Sequence, residues 1–343
     1  MVATESQFNA LSTESKAYVT ANLNAFKGML TLTNATAVAA DEASGGSTFE
    51  WNFNAGTGAF SFLAAGEVLE LDYTLDAVDS SADHGHGTNH VRVTITGTNE
   101  APVVGVVQTP TPTPVVEAVS DVAALTATGQ LSVLDADLHD KVSFTVDSVS
   151  VDGTFPGKGG FTTEQLASFK SMLTMTTGQL AAEPTNPDTV TWNFASGGSG
   201  VGAFSFLGQD ETLVLNYVVK ATDSTSAQTA TTVSVTLKGT NDLPVFHVAP
   251  ALIQNNGSYL VSYAESVVGE KASDRPIWLG DSVLGSGDLA TDPDSTDSVQ
   301  YSISGTDAGQ FQINATTGVI TFTPNYYNAE TDSVVYLSGP DYE

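Results

Sequence analysis

Hydrophobic and polar residues alternate with a period of two along several short segments of the chain. Residues 91–96 read VRVTIT, residues 232–237 read TVSVTL, and residues 69–75 and 213–219 follow the same pattern more loosely. Alternation over about four to eight residues is typical of half-buried β-strands, and clusters of Gly, Asn, Asp and Ser separate these segments as turns do. The pattern predicts an all-β chain built from antiparallel sandwich strands.

Helical spacing interrupts the strand pattern at two places. Thr162 and Gln165 form a capping-box pair, and the apolar residues that follow recur on one helix face: Leu166, Phe169, Met172 and Leu173. The same face recurs earlier as Leu23, Phe26, Met29 and Leu30, where both Thr4 and Ser12 are candidate starts. We therefore predict a short helical insertion that closes one end of the sandwich core.

The chain is similar to itself at a nearly constant offset. WNF occurs at 51–53 and 192–194, GAFSFL at 58–63 and 202–207, and GTN at 97–99 and 239–241. A period of about 140 residues is the size of a domain. Pro102 and Pro244 favour extended linkers after the GTN segments. We predict units at 1–101, 102–243 and 244–343, of which the first lacks its opening half and the last is truncated, as in a fragment of a longer array.

The charge balance excludes several classes of protein. Ten Lys and Arg residues stand against 39 Asp and Glu residues, for a formal net charge of −29. This is too little positive charge for nucleic acid or an anionic membrane surface. The sequence has no stretch of about 18 apolar residues, so we expect no membrane insertion. It also has no cysteine, which excludes disulfides and thiolate chemistry.

Two acidic hexads carry the strongest candidate chemistry. Residues 135–140 read DADLHD and residues 292–297 read DPDSTD, so both place Asp at positions 1, 3 and 6: Asp135, Asp137, Asp140, Asp292, Asp294 and Asp297. Alternate residues of an extended segment face the same side, and a divalent cation relieves the repulsion between such carboxylates. Oxygen ligands of this kind suit Ca²⁺. Any one acid, taken singly, is equally consistent with a solvated loop.

Other motifs have weaker functional interpretations. His84, His86 and His90 could hold zinc or nickel, but a polar hairpin loop is the favoured interpretation. Trp51 and Trp192 could stack on sugars, but their matching WNF segments favour a role in the core. The chain has no P-loop, nucleophile elbow, HExxH or dinucleotide-binding motif, so we predict no enzyme activity.

The motifs together carry a family resemblance. Residues 213–223 followed by TTVSVTLKGTND, which ends at Asp242, resemble the closing half of a VCBS repeat. Residues 115–117 and the DADLHD hexad resemble its opening half. The segment from Asp292 through YSISGTDAGQFQINATTGVITF, with the terminal DYE, is similar to a cadherin-like repeat. Both kinds of repeat occur in large RTX-type bacterial surface adhesins exported by type I secretion.

This resemblance implies tandem Ig-like or cadherin-like β-sandwiches with Ca²⁺ held at the joints between them. Its motifs assign ligands to the joint between the middle and last units: Glu117, Asp223, Asn241, Asp242, Asp292 and Asp294. For the preceding joint they assign Asp79, Asn99, Glu100, Asp135 and Asp137, with Glu100 replacing the usual Asp. Asp140 and Asp297 complete the hexads, and Glu265, Asp341 and Glu343 resemble ligands of a third site.

The predicted function is that of a calcium-stiffened extender that projects the binding tip of a bacterial cell-surface adhesin in attachment or biofilm formation. We expect an extracellular, monomeric segment whose partners are the neighbouring repeats of the same chain. In the alternative, one unit itself binds a host or biofilm glycan or protein, through the His-rich loop or the helical insertion. A saturable ligand lost on mutation of one loop would favour this alternative.

Overall fold

The computed structural model of the chain describes residues 11–33, 49–80, 82–108, 115–116, 125–155, 159–176, 178–182, 186–197, 203–246, 290–306, 308, 311–318, 320–322, 326–328 and 333–335. Strands predominate in this part of the chain, and its helices are the two at the predicted insertions. None of the described helices is long and apolar enough to cross a membrane. Every strand pair of the described residues lies within one of the three predicted units, whose division remains a prediction.

The first unit consists of one helix and two antiparallel strand pairs. The elements in chain order are α1 (Thr13–Lys27), β1 (Leu30–Thr33), β2 (Glu50–Phe53), β3 (Val68–Val78) and β4 (His86–Thr96). β1 pairs with β2, and β3 pairs with β4 along its full length. Phe26 of the helix, Leu71 of β3 and Phe62 of the connecting turn pack in one buried cluster.

The middle unit is a two-layer β-sandwich. Its elements are β5 (Val103–Gln108), β6 (Val115–Val116), β7 (Thr126–Leu134), β8 (Lys141–Thr154), α2 (Thr163–Ser171), β9 (Leu173–Met175), β10 (Gln179–Ala181), β11 (Asp188–Ala195), β12 (Thr212–Thr222) and β13 (Gln228–Lys238). One sheet has the order β10-β8-β12-β13-β6 and the other the order β5-β7-β11-β9. Residues from both sheets share one core, so the predicted all-β sandwich class with short helical insertions is confirmed.

The described part of the last unit consists of short antiparallel pairs. They are β14 (Val245–Phe246) with β15 (Ala290–Thr291), β16 (Phe311–Ile313) with β17 (Ile320–Phe322), and β18 (Tyr326–Asn328) with β19 (Ser333–Val335). The DPDSTD hexad follows β15 directly, as the DADLHD hexad follows β7. Both hexads are therefore placed at the end of a strand.

The alternating pattern of the sequence produces the core of the middle unit. Along β12 every second residue is buried, which places Leu213, Leu215, Tyr217, Val219 and Ala221 in the core. The intervening side chains are only partly covered, as expected for alternate residues on opposite faces of a sheet. Full burial of one such aliphatic or aromatic side chain stabilises a fold by about 1.5–3 kcal/mol.

Both helices begin where capping residues predict. Ser12 caps α1, with its hydroxyl accepting from the Ser15 amide at 3.1 Å, and the other candidate start, Thr4, lies outside the described residues. Thr162 and Gln165 form the capping box of α2. Both helices are shorter than predicted. α1 ends at Lys27, and Leu30 belongs to β1. Met172 ends α2, and Leu173 begins β9, where it pairs with Phe194. Sheet pairing thus overrides the helical spacing there.

A buried tyrosine joins each helix to the sheet behind it. The Tyr73 hydroxyl donates to the Phe26 carbonyl at 2.7 Å, and the Tyr217 hydroxyl donates to the Phe169 carbonyl at 2.9 Å. Each carbonyl also accepts from the amide three residues on, Met29 and Met172, both at 3.1 Å, so the tyrosine hydroxyl is a second donor to an oxygen that has two lone pairs. In each of the two units, the helical insertion therefore packs against the core of its own unit.

The two WNF tryptophans have different environments. Trp192 lies in β11 and is 1% exposed, in agreement with the predicted core role. Trp51 lies in β2 and is 49% exposed, so that prediction is wrong for the first unit. In the middle unit β7 covers the tryptophan with Gly129 opposite its ring. No described strand occupies the corresponding place beside β2.

We predict that Gly129→Ala destabilises the middle unit. A Cβ at this position would lie 2.5 Å from Cζ2 of Trp192, so the ring or β7 must move. Overpacking of this kind lowers the free energy of unfolding by about 1–3 kcal/mol, which urea unfolding followed by circular dichroism will measure. Gly159→Ala is the control, since a Cβ there meets no atom within 4 Å. Equal stabilities of the two variants would contradict the packing argument.

Candidate metal centres

The DADLHD hexad folds into a tight turn that gathers its three carboxylates. The Asp137 amide donates to Oδ1 of Asp135 at 3.0 Å, and the Asp140 amide donates to the Asp137 carbonyl at 3.0 Å. Asp side chains favour such turns because they bond to backbone amides two residues on. One carboxylate oxygen from each Asp lies within 4.8 Å of the others. The three residues are 0–3% exposed.

Two further segments meet this turn, and we call the whole assembly the first cluster. From the linker, the Glu100 amide donates to Oδ2 of Asp137 at 2.9 Å. Asn99 donates through Nδ2 to Oδ2 of Asp223 at 2.8 Å. Asp223 is 6% exposed and directly follows β12. The first cluster therefore combines the linker from the first unit with two turns of the middle unit.

The first unit contributes Glu67, a residue that the sequence interpretation missed. This carboxylate is 8% exposed and interacts electrostatically with Asp140 across the junction. It accepts hydrogen bonds from the Ser12 amide at 2.6 Å, the Ser15 hydroxyl at 2.7 Å and the Ala64 amide at 3.0 Å. The signal in the sequence was present, because Glu67 aligns with Glu211 in the internal repeat.

The DPDSTD hexad forms a second cluster with the same hydrogen bonds. The Asp294 amide donates to Oδ1 of Asp292, and the Asp242 amide donates to Oδ2 of Asp294, both at 3.0 Å. The Asp297 amide donates to the Asp294 carbonyl at 3.0 Å. Glu211 interacts electrostatically with Asp294, as Glu67 does with Asp140. One backbone geometry is thus built twice, at consecutive junctions.

The buried carboxyls of the first cluster are difficult to ionise. Burial raises the pKa of Asp135 from its ordinary 3.8 to about 6, against a hydrogen bond from the Asp137 amide that lowers it. Burial likewise raises the pKa of Asp137 to about 7. Nearby carboxylates add to both shifts, and burial also raises the pKa values of Asp140 and Asp294. Ionisation of these carboxyls in the folded, cation-free chain therefore costs free energy.

Hydrogen bonding has the opposite effect on two carboxylates at the rim of the first cluster. Burial alone would raise the pKa of Asp223, but donors from Asn99, Ala227 and Thr225 outweigh it and lower the value. Burial also opposes ionisation of Glu67, and its donors at Ser12, Ser15 and Ala64 lower the pKa below 4.5. These hydrogen bonds therefore favour the ionised form of both carboxylates.

Several buried oxygens of the clusters have no hydrogen-bond donor among the described residues. They are Oε2 of Glu100, Oδ2 of Asp135, Oδ1 of Asp137, Oδ2 of Asp140 and Oδ1 of Asp294. Unpartnered buried oxygens are costly, and none of the ion pairs of the described chain involves a hexad carboxylate. An oxygen-rich, cation-free set of this kind fits Ca²⁺, which takes about six to eight oxygen ligands.

The structure places Asp223 and Asp79 away from the joints to which they were assigned. Asp223 was assigned to the joint with Asn241 and Asp242, but it lies in the first cluster beside Asn99. β12 and β13 are antiparallel strands of 11 residues, so Asp223 at their turn and Asn241 after their open end are roughly 33 Å apart. Asp79 is likewise at the turn of β3 and β4, where its Oδ1 accepts from the Gly85 amide.

The remaining predicted ligands have separate outcomes. Asn99 and Glu100 lie in the first cluster, whereas Asn241 is exposed beside the buried Asp242. Asp297 is exposed at the rim of the second cluster. Four predicted ligands lie outside the described residues: Glu117, Glu265, Asp341 and Glu343.

The histidines do not converge on a metal site. His86 bonds through Nδ1 to Asp76 at 2.9 Å, and His90 bonds through Nδ1 to Asp72 at 2.8 Å. Both lie in β4 and not in the predicted loop, four residues apart, which separates them by roughly 13 Å along the strand. His84 adopts a left-handed conformation (φ 46°) in the turn before the strand. The exposed side chains of His86 and His90 thus each pair with a carboxylate on β3.

Comparisons with known proteins found no matching protein family and no matching curated protein. Among solved structures, the protocadherin GammaB4 extracellular domain is similar at 15% identity and a TM-score of 0.31, covering 86% of this chain and 40% of that one. Protocadherin gammaB7 EC3-6, in a cis-dimer structure, is similar at 14% identity and a TM-score of 0.28, covering 86% and 58%. Mouse PcdhgC3 EC1-3 is similar at 12% identity and a TM-score of 0.25, covering 89% and 80%. The chain thus spans less than two thirds of the first two proteins.

We predict that the metal-free chain gains stability when two buried carboxyls are neutralised. The folded chain keeps protons on Asp135 and Asp137 to higher pH than the unfolded chain, so their ionisation costs stability progressively between pH 3.8 and about 7. In EDTA at pH 7.5, Asp135→Asn with Asp137→Asn should therefore raise the urea midpoint.

The advantage of this double variant should disappear towards pH 4, where both proteins are neutral at these positions. Asp147→Asn is the control, since Asp147 is exposed and paired with Lys220. A double variant less stable than the wild type at pH 7.5 in EDTA would contradict the argument that ionisation of Asp135 and Asp137 destabilises the metal-free fold.

Proposed function

We propose that this chain is a calcium-stiffened extender segment of a bacterial cell-surface adhesin. The observation that carries the proposal is the pair of carboxylate clusters at consecutive junctions, in each of which one carboxylate oxygen from every hexad Asp lies within 4.8 Å of the others and buried oxygens are left without a donor among the described residues. A divalent cation bound there converts repulsion between neighbouring units into attraction. Each unit then acts as a rigid rod, and the ions fix the angle between successive rods.

The clusters favour calcium over other common cations. All candidate ligands are carboxylate, amide or backbone oxygens, and Ca²⁺ accepts such sets in flexible geometry. Mg²⁺ requires near-ideal octahedral geometry and loses its water reluctantly, so buried sites built only from protein oxygens suit it less well. Zinc prefers nitrogen and sulfur ligands, which the clusters lack.

Calcium binding would couple the stiffness of the chain to its location. Sites in extracellular modules typically have a Kd of roughly 10⁻⁴–10⁻³ M, so the junctions stay loose in the cytosol and become rigid after export. An ion at 100 times its Kd stabilises the bound arrangement by about 2.7 kcal/mol per site. This behaviour agrees with the resemblance to VCBS and cadherin-like repeats of RTX-type adhesins that leave the cell by type I secretion.

The proposed role is mechanical and not enzymatic. The partners within the parent protein are the neighbouring repeats, and a binding tip elsewhere makes contact with a glycan or protein of the host or biofilm. The net charge of −29 keeps the cation-free segment soluble and monomeric, while its self-repulsion favours an extended array.

We predict that calcium changes the shape of the chain in solution. Small-angle X-ray scattering in saturating CaCl₂ should give a longer maximum dimension and a narrower range of shapes than in EGTA. MgCl₂ at the same ionic strength is the control for general charge screening. Curves that superimpose in CaCl₂ and EGTA would end the proposal of a calcium-stiffened extender.

We predict that the two junctions respond to different substitutions. Asp137→Asn and Asp223→Asn should each weaken calcium binding at the first junction by roughly tenfold or more, the equivalent of about 1.4 kcal/mol. Asp294→Asn should do so at the second junction only. Asp79→Asn is the matched control, because Asp79 lies at the opposite end of its hairpin from the first cluster.

Spin labels on engineered cysteines will measure each junction separately, since the chain has no native cysteine. Thr94→Cys with Gln228→Cys spans the first junction, and Thr232→Cys with Ser298→Cys spans the second; all four positions are exposed. Asp137→Asn and Asp223→Asn should broaden the distance distribution in CaCl₂ only at the first junction, and Asp294→Asn only at the second. Broadening of the second junction by Asp223→Asn would restore the assignment made from the sequence.

A further inference from the structure

An apolar surface is exposed around β2 in the first unit. Trp51 is 49% exposed, Phe49 is 45% exposed, and Leu32 on the adjacent β1 is 42% exposed. Among the described residues β2 pairs with β1 alone, and no described strand lies beside its other edge. We call this edge, with the side chains of Phe49, Trp51 and Phe53, the β2 edge.

The middle unit contains the same arrangement with that edge filled. Trp192 is opposite Met175 on β9 as Trp51 is opposite Leu32 on β1, so β11 corresponds to β2 residue for residue. On its far side β11 pairs antiparallel with β7 over eight positions, from Asp188 to Ala195. With β7 in place, the exposure of the tryptophan falls to 1%.

The residues of β7 that lie opposite the buried side chains of β11 match them in size. Ala127 is opposite Phe194, Gly129 is opposite Trp192, and Leu131 is opposite Val190. Gly129 is required by space, because a Cβ there would be 2.5 Å from the indole ring. Thr128 points to the other face, where its hydroxyl donates to the Trp192 carbonyl at 2.9 Å and bonds to Oδ1 of Asn193 at 3.0 Å.

We infer that the β2 edge is an acceptor site for an added β-strand, an extended polypeptide segment with glycine opposite Trp51. The WNF segment repeats Trp192, Asn193 and Phe194, so it offers the same backbone bonds and the same amide oxygen to a threonine beside that glycine. The residue opposite Phe53 is small, as Ala127 is opposite Phe194. This site is independent of the carboxylate clusters and of any cation.

Physical reasons favour a strand over other occupants. An edge with unpaired NH and CO groups next to exposed aromatic side chains is a template for main-chain pairing, and strand addition satisfies both at once. A sugar or a helix would leave the backbone groups of β2 unpaired. The glycine supplies specificity, because a larger residue collides with the ring it must cover.

A synthetic peptide with the sequence of residues 125–134 (LTATGQLSVL) tests the inference on the intact chain. Titration should slow amide hydrogen exchange in residues 50–53, measured by mass spectrometry, with a saturating dose dependence. The same peptide with glycine replaced by valine should bind about tenfold more weakly or worse. A third peptide with threonine 128 replaced by valine should show an intermediate loss.

The chain variants supply the matched controls. Trp51→Ala should abolish protection by the glycine peptide, whereas Trp192→Phe, in the filled sheet, should leave protection of residues 50–53 unchanged. Equal protection by the glycine and valine peptides, or none by either, would overturn the inference. So would protection of residues 50–53 that rises with protein concentration in the absence of peptide, because a second copy of the chain would then occupy the edge.

Discussion

Repulsion between buried carboxylates at the junctions is the constraint on which the rest of this structure depends. Asp135, Asp137 and Asp140 are almost fully buried within a few ångströms of one another, and no lysine or arginine of the described residues is paired with them. The fold keeps them there through short backbone hydrogen bonds, so the cost of burying like charges is retained in the cation-free chain. That cost is the reserve of free energy that a bound divalent cation would release.

The two junctions of the internal repeat have the same hydrogen-bond geometry. In each, the residue after the linker asparagine donates its amide to the second Asp of the hexad, at Asp137 and at Asp294. In each, a glutamate of the preceding unit faces the cluster, at Glu67 and Glu211. The junctions differ at the rim, because only the first has a described partner like Asp223. Each cluster therefore combines carboxylates from both of the predicted units that meet there.

The sequence predicted most of the fold because its signals are local. The period-two pattern identified β12 and β13, the capping residues identified Ser12 and Thr162 as helix starts, and the repeat identified matching positions across units. It failed where two local signals compete: Leu173 fits a helix face and also a strand, and pairing with Phe194 decides the outcome. It failed again for Trp51, since in the middle unit β7 lies beside the matching tryptophan, whereas no described strand lies there in the first unit.

The sequence by itself determined the composition of the candidate site: two hexads with identical spacing, in a chain without cysteine and with a large excess of acids. Only the tertiary structure decided which residues share a cluster. Asp223 lies with Asn99, more than 120 positions earlier in the chain, and apart from Asn241, which is much closer in sequence. The physical reason is the hairpin: an antiparallel pair of 11-residue strands places its turn and its open end at opposite ends of the unit.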